Sequence, residues 1–149
     1  MKVLVIGGVA AGTKAAAKIK RCDRSAEVKV VTKGRDISYA GCGLPYYVSG
    51  DIPTRDALIV NTPDAYAALT GVEVETGVEA IALDAAAHEV SVRRADGSPG
   101  TEKYDRLVVA TGAEPFVPPV PGTDLPGVFC MRTPDDACGL RDYADERGA

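Results

Sequence analysis

Val3-Leu4-Val5-Ile6-Gly7-Gly8-Val9-Ala10-Ala11-Gly12 is the stretch on which the fold turns. Four apolar residues in a row suit a parallel strand covered on both faces. The glycines then make a tight turn, and Ala11, Ala15, Ile19 and Cys22 recur at helical spacing. This stripe of small residues is expected to lie close on the sheet, with Cys22 buried in it as a small hydrophobe. Glu27 to Thr32 reads as the second strand. A glycine turn between a strand and a helix aims free amides at an anionic pyrophosphate; an ordinary strand–helix turn is the other reading. The G-x-G-x-x-G pattern wants glycine where Val9 stands, and an acid about 20 residues after its last glycine. That place holds Thr32, which offers one hydroxyl but no charge-assisted grip on ribose.

Composition narrows the class. The chain has 149 residues, 46% hydrophobic and 26% charged, with a net charge of −4, which suits a globular protein of about one domain. With no basic cluster, nucleic acid has no electrostatic foothold. No apolar run approaches the roughly 20 residues that span a bilayer, so no membrane partner is expected. No cationic, apolar export signal opens the chain. Cys22, Cys42, Cys130 and Cys138 lack C-x-x-C spacing, which points away from a zinc site or disulfide scaffold and toward a reducing cytoplasm. No metal ligands are expected. Cys130 and Cys138 read as structural, and His88 as a solvated surface residue.

Further along, Thr62-Pro63-Asp64 starts a helix that Gly71 closes. An antiparallel meander is expected over about 72–104: Val72 to Thr76, Val78 to Leu83, Glu89 to Arg94, and Thr101 to Tyr104 after the turn Asp96-Gly97-Ser98-Pro99-Gly100. Leu107-Val108-Val109-Ala110 reads as another buried strand. Pro115, Pro118, Pro119 and Pro121 stiffen an extended connector, and Thr133-Pro134-Asp135-Asp136 starts a last helix. The fold class is therefore α/β, a Rossmann-like three-layer domain with a parallel sheet and a β-meander.

Two further segments carry chemistry. Ser38-Tyr39-Ala40-Gly41-Cys42-Gly43-Leu44-Pro45-Tyr46-Tyr47 sets a thiol between two glycines, where backbone can approach a ligand without side-chain clash. Pro45 can open a short helix, and a thiol facing its amides would favour the thiolate. A buried structural cysteine in a kinked loop is the bland alternative. Tyr39, Tyr46 and Tyr47 either line a substrate approach or pack beneath the loop. Tyr104 to Gly112 is an apolar strand ending in Ala110-Thr111-Gly112, small enough for close cofactor contact.

In this order, the glycine turn, the thiol loop and the Ala-Thr-Gly segment resemble the FAD-dependent pyridine nucleotide-disulfide oxidoreductases, over essentially the whole chain. Cys42-Gly43-Leu44-Pro45-Tyr46-Tyr47 is most similar to their coenzyme A-disulfide reductase and NADH oxidase branch. The resemblance implies that Gly7, Val9, Ala10, Ala11 and Gly12 wrap the FAD pyrophosphate. It sets Thr32 and Lys33 by the adenosine ribose, the backbone around Val78 by the adenine, and Ala110, Thr111 and Gly112 at the flavin side. Cys42 is then the single redox thiol, since no second cysteine stands within six residues of it. Ser38 and Tyr39, with Lys18 and Arg21 on the first helix, are substrate candidates; for the two cations a solvated face is the equal alternative. Relatives that reduce oxygen or peroxide usually carry histidine at the place of Ala10, which favours a small-molecule disulfide or persulfide as substrate. Gly41 stands where coenzyme A-disulfide reductases often carry Asn, so the coenzyme A group itself is not implied.

By the same resemblance, residues 1–114 are the FAD-binding domain, and 115–149 are a connector and helix leading to an NAD(P)H-binding domain that this chain lacks. The chain is expected to be the N-terminal part of a longer, homodimeric enzyme that takes electrons from NAD(P)H, and to be inactive alone. A nucleotide-binding module whose cysteine is incidental, or an NADH oxidase, is the competing expectation.

Overall fold

A computed structural model describes residues 1–148. Its elements are β1 (Lys2–Ile6), α1 (Ala10–Cys22), β2 (Glu27–Thr32), α2 (Leu44–Val48), α3 (Pro63–Thr70), β3 (Glu73–Thr76), β4 (Val78–Asp84), β5 (Glu89–Arg94), β6 (Pro99–Lys103), β7 (Arg106–Val109) and α4 (Pro134–Glu146). The chain divides into two units. Met1–Ser38 and Asn61–Gly112 form the first; Tyr39–Val60 and the chain from Ala113 onward form the second.

The first unit is a three-layer α/β fold around a parallel sheet of order β3-β2-β1-β7. Alternate strand residues point to opposite faces, and both faces are filled. Val3, Val5, Val28 and Val30 pack with Ala16 of α1, Ile37, Tyr66 of α3 and Val72. Leu4 and Val31 pack with Val78, Val90 and Val92 of the antiparallel meander β4-β5-β6. Burial on both sides is what makes β1 a continuous apolar run. Helix α3 is bounded as its residues dictate: the Thr62 hydroxyl accepts from the Ala65 amide at 3.2 Å, and Gly71 ends the helix at φ 70°.

Three expectations are corrected. Residues 73–76 are not part of the meander: β3 pairs in parallel with β2, Lys29 opposite Glu73. An alternating strand suits an edge of either sheet, and burial of Val72 under α3 selects the parallel one. The buried face of α1 is Gly12, Thr13 and Ala16, not the stripe through Ala11 and Cys22, both of which are exposed. The turn decides this, because Gly12 must abut Gly7. Strand β7 lies at the sheet edge, and Val109 is 62% exposed.

Lys29 fastens the sheet to the meander. Its ammonium lies 2.8 Å from Glu75, 3.0 Å from Glu102 and 3.4 Å from Glu73, and Arg94 lies 2.9 Å from Glu75. Burial works against the Lys29 charge, but the hydrogen bonds it donates to Glu75 and Glu102 outweigh that and raise the lysine pKa. Lys29 in turn holds the Glu75 carboxyl below its ordinary range, against burial and with help from Arg94.

In the second unit, α2, a 3-10 turn at Arg55–Leu58 and α4 gather Leu44, Tyr47, Leu58 and Ala137 into a core, with Cys138 packed against it. Helix α4 opens on a capping box: Asp136 N–H donates to the Thr133 hydroxyl at 3.2 Å, and Thr133 N–H to the Asp136 carboxylate at 2.8 Å. Cys130 is exposed, so the packing expected of it is not found, whereas Cys138 fits that expectation.

Candidate functional site

In the first unit, the loops after β1, β2 and β7 converge at the carboxyl ends of the strands, the usual place for a ligand in an open parallel sheet. Gly7 N–H donates to the Val31 carbonyl at 2.8 Å, Ala110 N–H to Ile6 at 2.8 Å, and Ser38 N–H to Gly8 at 2.9 Å. The contacts are tight enough to require glycine. A Cβ on Gly7 would stand 2.1 Å from the Ala110 oxygen, and one on Gly12 1.8 Å from the Gly7 oxygen. Gly8 is less tightly confined, by side chains: a Cβ there would stand 3.0 Å from the Thr32 methyl and 2.8 Å from Ile37. The structure thus brings Gly7, Gly12, Thr32, Ala110 and Ser38 into one crevice.

Helix α1 begins there without a side-chain cap, and no acid occupies its first turn. Ala10 and Ala11 are exposed at that end. Thr13 instead turns its hydroxyl back to the Val9 carbonyl, and Tyr66 donates to the Thr13 carbonyl, which pins the helix from behind. Small side chains, amides without a side-chain cap and a positive helix end fit a dinucleotide pyrophosphate. Gly112 adopts φ 75°, a left-handed turn open to glycine.

The remaining expected residues fall as follows. Thr32 is buried and Lys33 exposed, with the Lys33 ammonium 2.9 Å from Glu79. Lys33 and then Arg93, at 2.6 Å, hold the Glu79 carboxyl below its ordinary range. Val78 is buried in the meander core. Lys18 and Arg21 are exposed on α1, while their neighbour Lys20 donates to the Ala26 carbonyl at 2.7 Å. Ser38 has φ 49°, and its hydroxyl accepts from Asn61 Nδ2 at 3.3 Å. His88 is exposed and stacks on Tyr104. Among the described residues, no group of three or more His, Cys, Asp or Glu could hold a metal ion, and no helix is long and apolar enough to cross a membrane.

In the second unit, Cys42 is exposed in a 3-10 turn, Gly41–Gly43, that runs directly into α2. Its two glycines differ. A Cβ on Gly43 would press at 3.2 Å on Ile52 and Leu58, so packing demands that glycine. Gly41 has nothing within 4 Å of its Cβ position. Tyr47 is buried and Tyr46 is 58% exposed. Tyr39 is half-buried, bridges Ile59 and donates its hydroxyl to the Arg132 carbonyl at 3.4 Å.

The family pattern described as Pyridine nucleotide-disulphide oxidoreductase matches residues 1–147. The chain belongs to that family. It is 36% identical to an NADH oxidase of Methanocaldococcus jannaschii over 99% of this chain and 33% of the relative. It is 37% identical to the NAD(P)H coenzyme A polysulfide/persulfide reductase of Pyrococcus horikoshii, over 97% of this chain and 32% of that protein. The crystal structure of reduced Bacillus anthracis CoADR-RHD superposes with a TM-score of 0.94 at 31% identity, over 99% of this chain and 27% of that one. The chain therefore spans about a third of the length of the curated relatives it matches.

Some residues of this chain carry no sequence signal for the contacts they make. Glu79 has no sequence signal linking it to Lys33, which lies 46 positions away, just past the end of β2. Asn61 is legible only as the residue before a helix cap. Arg141 reads as an ordinary charge on an amphipathic helix, although its guanidinium lies over the Tyr47 ring.

Proposed function

We propose that this chain is the FAD-holding part of a flavoenzyme that reduces a small-molecule disulfide or persulfide, with Cys42 as its redox thiol. The exposure of Cys42, beside a glycine that no packing requires, carries the reading. Gly7, Val9, Ala10, Ala11 and Gly12 would hold the pyrophosphate, Thr32, Lys33 and the Val78 backbone the adenosine, and Ala110, Thr111 and Gly112 the flavin end. When bound, FAD supplies two electrons drawn from NAD(P)H. The chain's own part is to keep the crevice free of side-chain bulk and to present a thiol.

Cys42 thiolate attacks one sulfur of the substrate, forming a mixed disulfide and releasing the first thiol. Two electrons and a proton then return Cys42 and free the second thiol. Ala10, in place of a histidine, leaves that end of α1 without an imidazole for proton transfer to oxygen, which supports the disulfide or persulfide over oxygen. NAD(P)H binding and homodimer formation belong to the longer protein, and the reading assigns this chain a cytoplasmic setting.

Exposure to coenzyme A disulfide, followed by mass mapping of mixed disulfides, tests the assignment. The adduct is expected on Cys42 ahead of Cys22 and Cys130, which are also exposed. Equal labelling of the three removes the case for Cys42. Titration with FAD, followed by quenching of flavin fluorescence, tests the cofactor separately.

A further inference from the structure

We propose that Arg141 is the positioning residue for Cys42, an inference that rests on the reading of Cys42 as the redox thiol. Arg141 projects from α4 onto the far end of α2. One terminal guanidinium nitrogen donates to the Tyr47 carbonyl at 3.2 Å and to Pro53 at 3.4 Å, and stands 3.5 Å from the Ile52 oxygen. The same guanidinium lies 4.8 Å from the centre of the Tyr47 ring. Nearer the start of α4, the Cys138 thiol meets the Tyr47 hydroxyl at 3.6 Å. One helix therefore holds Tyr47 by its backbone, its ring and its hydroxyl.

That grip reaches the thiol through a short, continuous piece of chain. Gly43 N–H bonds to Ala40 at 2.9 Å, and Leu44 N–H returns to Gly41, so the Cys42 turn and α2 share one hydrogen-bonded frame. Leu44 and Tyr47 are its buried anchors, and Cys42 is exposed at its other end. Alone, a five-residue helix is far too short to hold its shape. Its last carbonyls take partners from just beyond it: Pro45 from Ser49 N–H and Tyr46 from Ile52 N–H, at 2.9 Å each. Tyr47 accepts from Gly50 N–H at 3.2 Å as well as from Arg141, a cation suited to that helix end. Arg141 adds a charged donor to the Tyr47 carbonyl, and its planar guanidinium is less free to wander than an ammonium. The direction of the Cys42 side chain is thus set by α2, and that of α2 by Arg141.

Two measurements on the 149-residue chain test this. Hydrogen exchange is followed at the amides of Gly43, Ser49, Gly50 and Ile52, and peptide-resolved alkylation by iodoacetamide gives the Cys42-to-Cys22 rate ratio. Arg141→Met is expected to speed exchange at those four amides about tenfold or more, with the Tyr66 amide of α3 unchanged. It is also expected to bring a wild-type ratio well above one down toward one, with Arg141→Lys in between. Thr133→Ala loosens α4 through its cap without touching the clamp, and should leave the ratio where it was. Wild-type exchange and ratio in Arg141→Met overturn the proposal, as does a ratio lost equally in Thr133→Ala. Should Arg141→Met fail to fold, Arg141→Lys is decisive: faster exchange with a lowered ratio supports the clamp, and wild-type values overturn it. A wild-type ratio of one instead overturns the reading of Cys42, and the positioning role with it, whatever the exchange shows.

Discussion

The carbonyl oxygen of Ala110 stands 2.1 Å from the point a Cβ on Gly7 would occupy. Gly7 and Ala110 each follow directly on one of two paired strands, β1 and β7, so their backbone cannot easily swing aside, and Gly7 has φ 111°. Gly7→Ala is therefore expected to cost about 3 kcal/mol, from strain at a left-handed position plus displaced backbone. Denaturant unfolding checks it; a loss below about 0.5 kcal/mol, the range of neutral surface changes, contradicts it.

Thr32 ends β2 with a hydroxyl, and under the proposed reading a carboxylate at that place would grip ribose. Thr32→Glu is expected to tighten FAD binding about tenfold, since a charge-assisted hydrogen bond replaces a neutral one. Fluorescence titration of both chains decides it. Unchanged or weaker affinity in a folded variant means that the adenosine ribose lies elsewhere.

The two threonine caps differ in kind. Thr133 shares a reciprocal box with Asp136, while the Thr62 side chain accepts from the Ala65 amide alone. Each Thr→Ala change is expected to cost about 1 kcal/mol, and Thr133→Ala should cost the less, because the Asp136 carboxylate still holds the backbone amides of Thr133 and Arg132. Thermal unfolding that ranks them the other way argues against this.

The ion cluster at Lys29 fixes how stability follows pH. The folded Glu75 pKa lies below its ordinary 4.5, so the stability it contributes is present above that value and is lost as pH falls through the folded one. Lys29 has the opposite sign: its folded pKa lies above the ordinary 10.5, and its contribution holds below that and fades only as pH rises through the folded value. Lys29→Met leaves Glu73, Glu75 and Glu102 with Arg94, 2.9 Å from Glu75 and 3.6 Å from Glu102, as the remaining cation of the cluster. It is expected to cost about 3 kcal/mol near neutrality. Urea titrations should show that cost shrinking once the acids protonate.

Tyr46 and Tyr47 are adjacent in sequence and opposite in role. Tyr47→Ala removes a buried ring from the core with Leu44, Leu58 and Ala137, and is expected to cost about 3 kcal/mol. Tyr46→Ala removes an exposed ring and should stay within about 0.5 kcal/mol. Similar losses would show that the ring burial has been misjudged.

What could be read from sequence was local. The β1 run, the glycine turn, and the Thr62 and Thr133 caps each carry their signal within a few residues, because strand burial and helix capping act at that range. The choice of sheet for β3 could not be read this way. Its alternation fits the edge of either sheet, and the answer depends on Val72 finding α3. The facing side of α1 is hidden in the sequence for a related reason: small residues recur on several of its faces, and only the approach of Gly12 to Gly7 selects one. Of the proposed site, Cys42 and the glycines were visible as motifs. Arg141 and Glu79 were not, since their partners lie 94 and 46 positions away.

Ser38 and Asn61 meet through their side chains at the point where the chain leaves the first unit and returns to it. Everything between them, the thiol included, is strung from a single closed neck. Such a passage can be exchanged like a cassette: a substitute of different length or chemistry need only end on the same Ser–Asn clasp and keep Leu44, Tyr47 and Leu58 against Ala137. New reactivity could then arise on this scaffold by replacing one excursion.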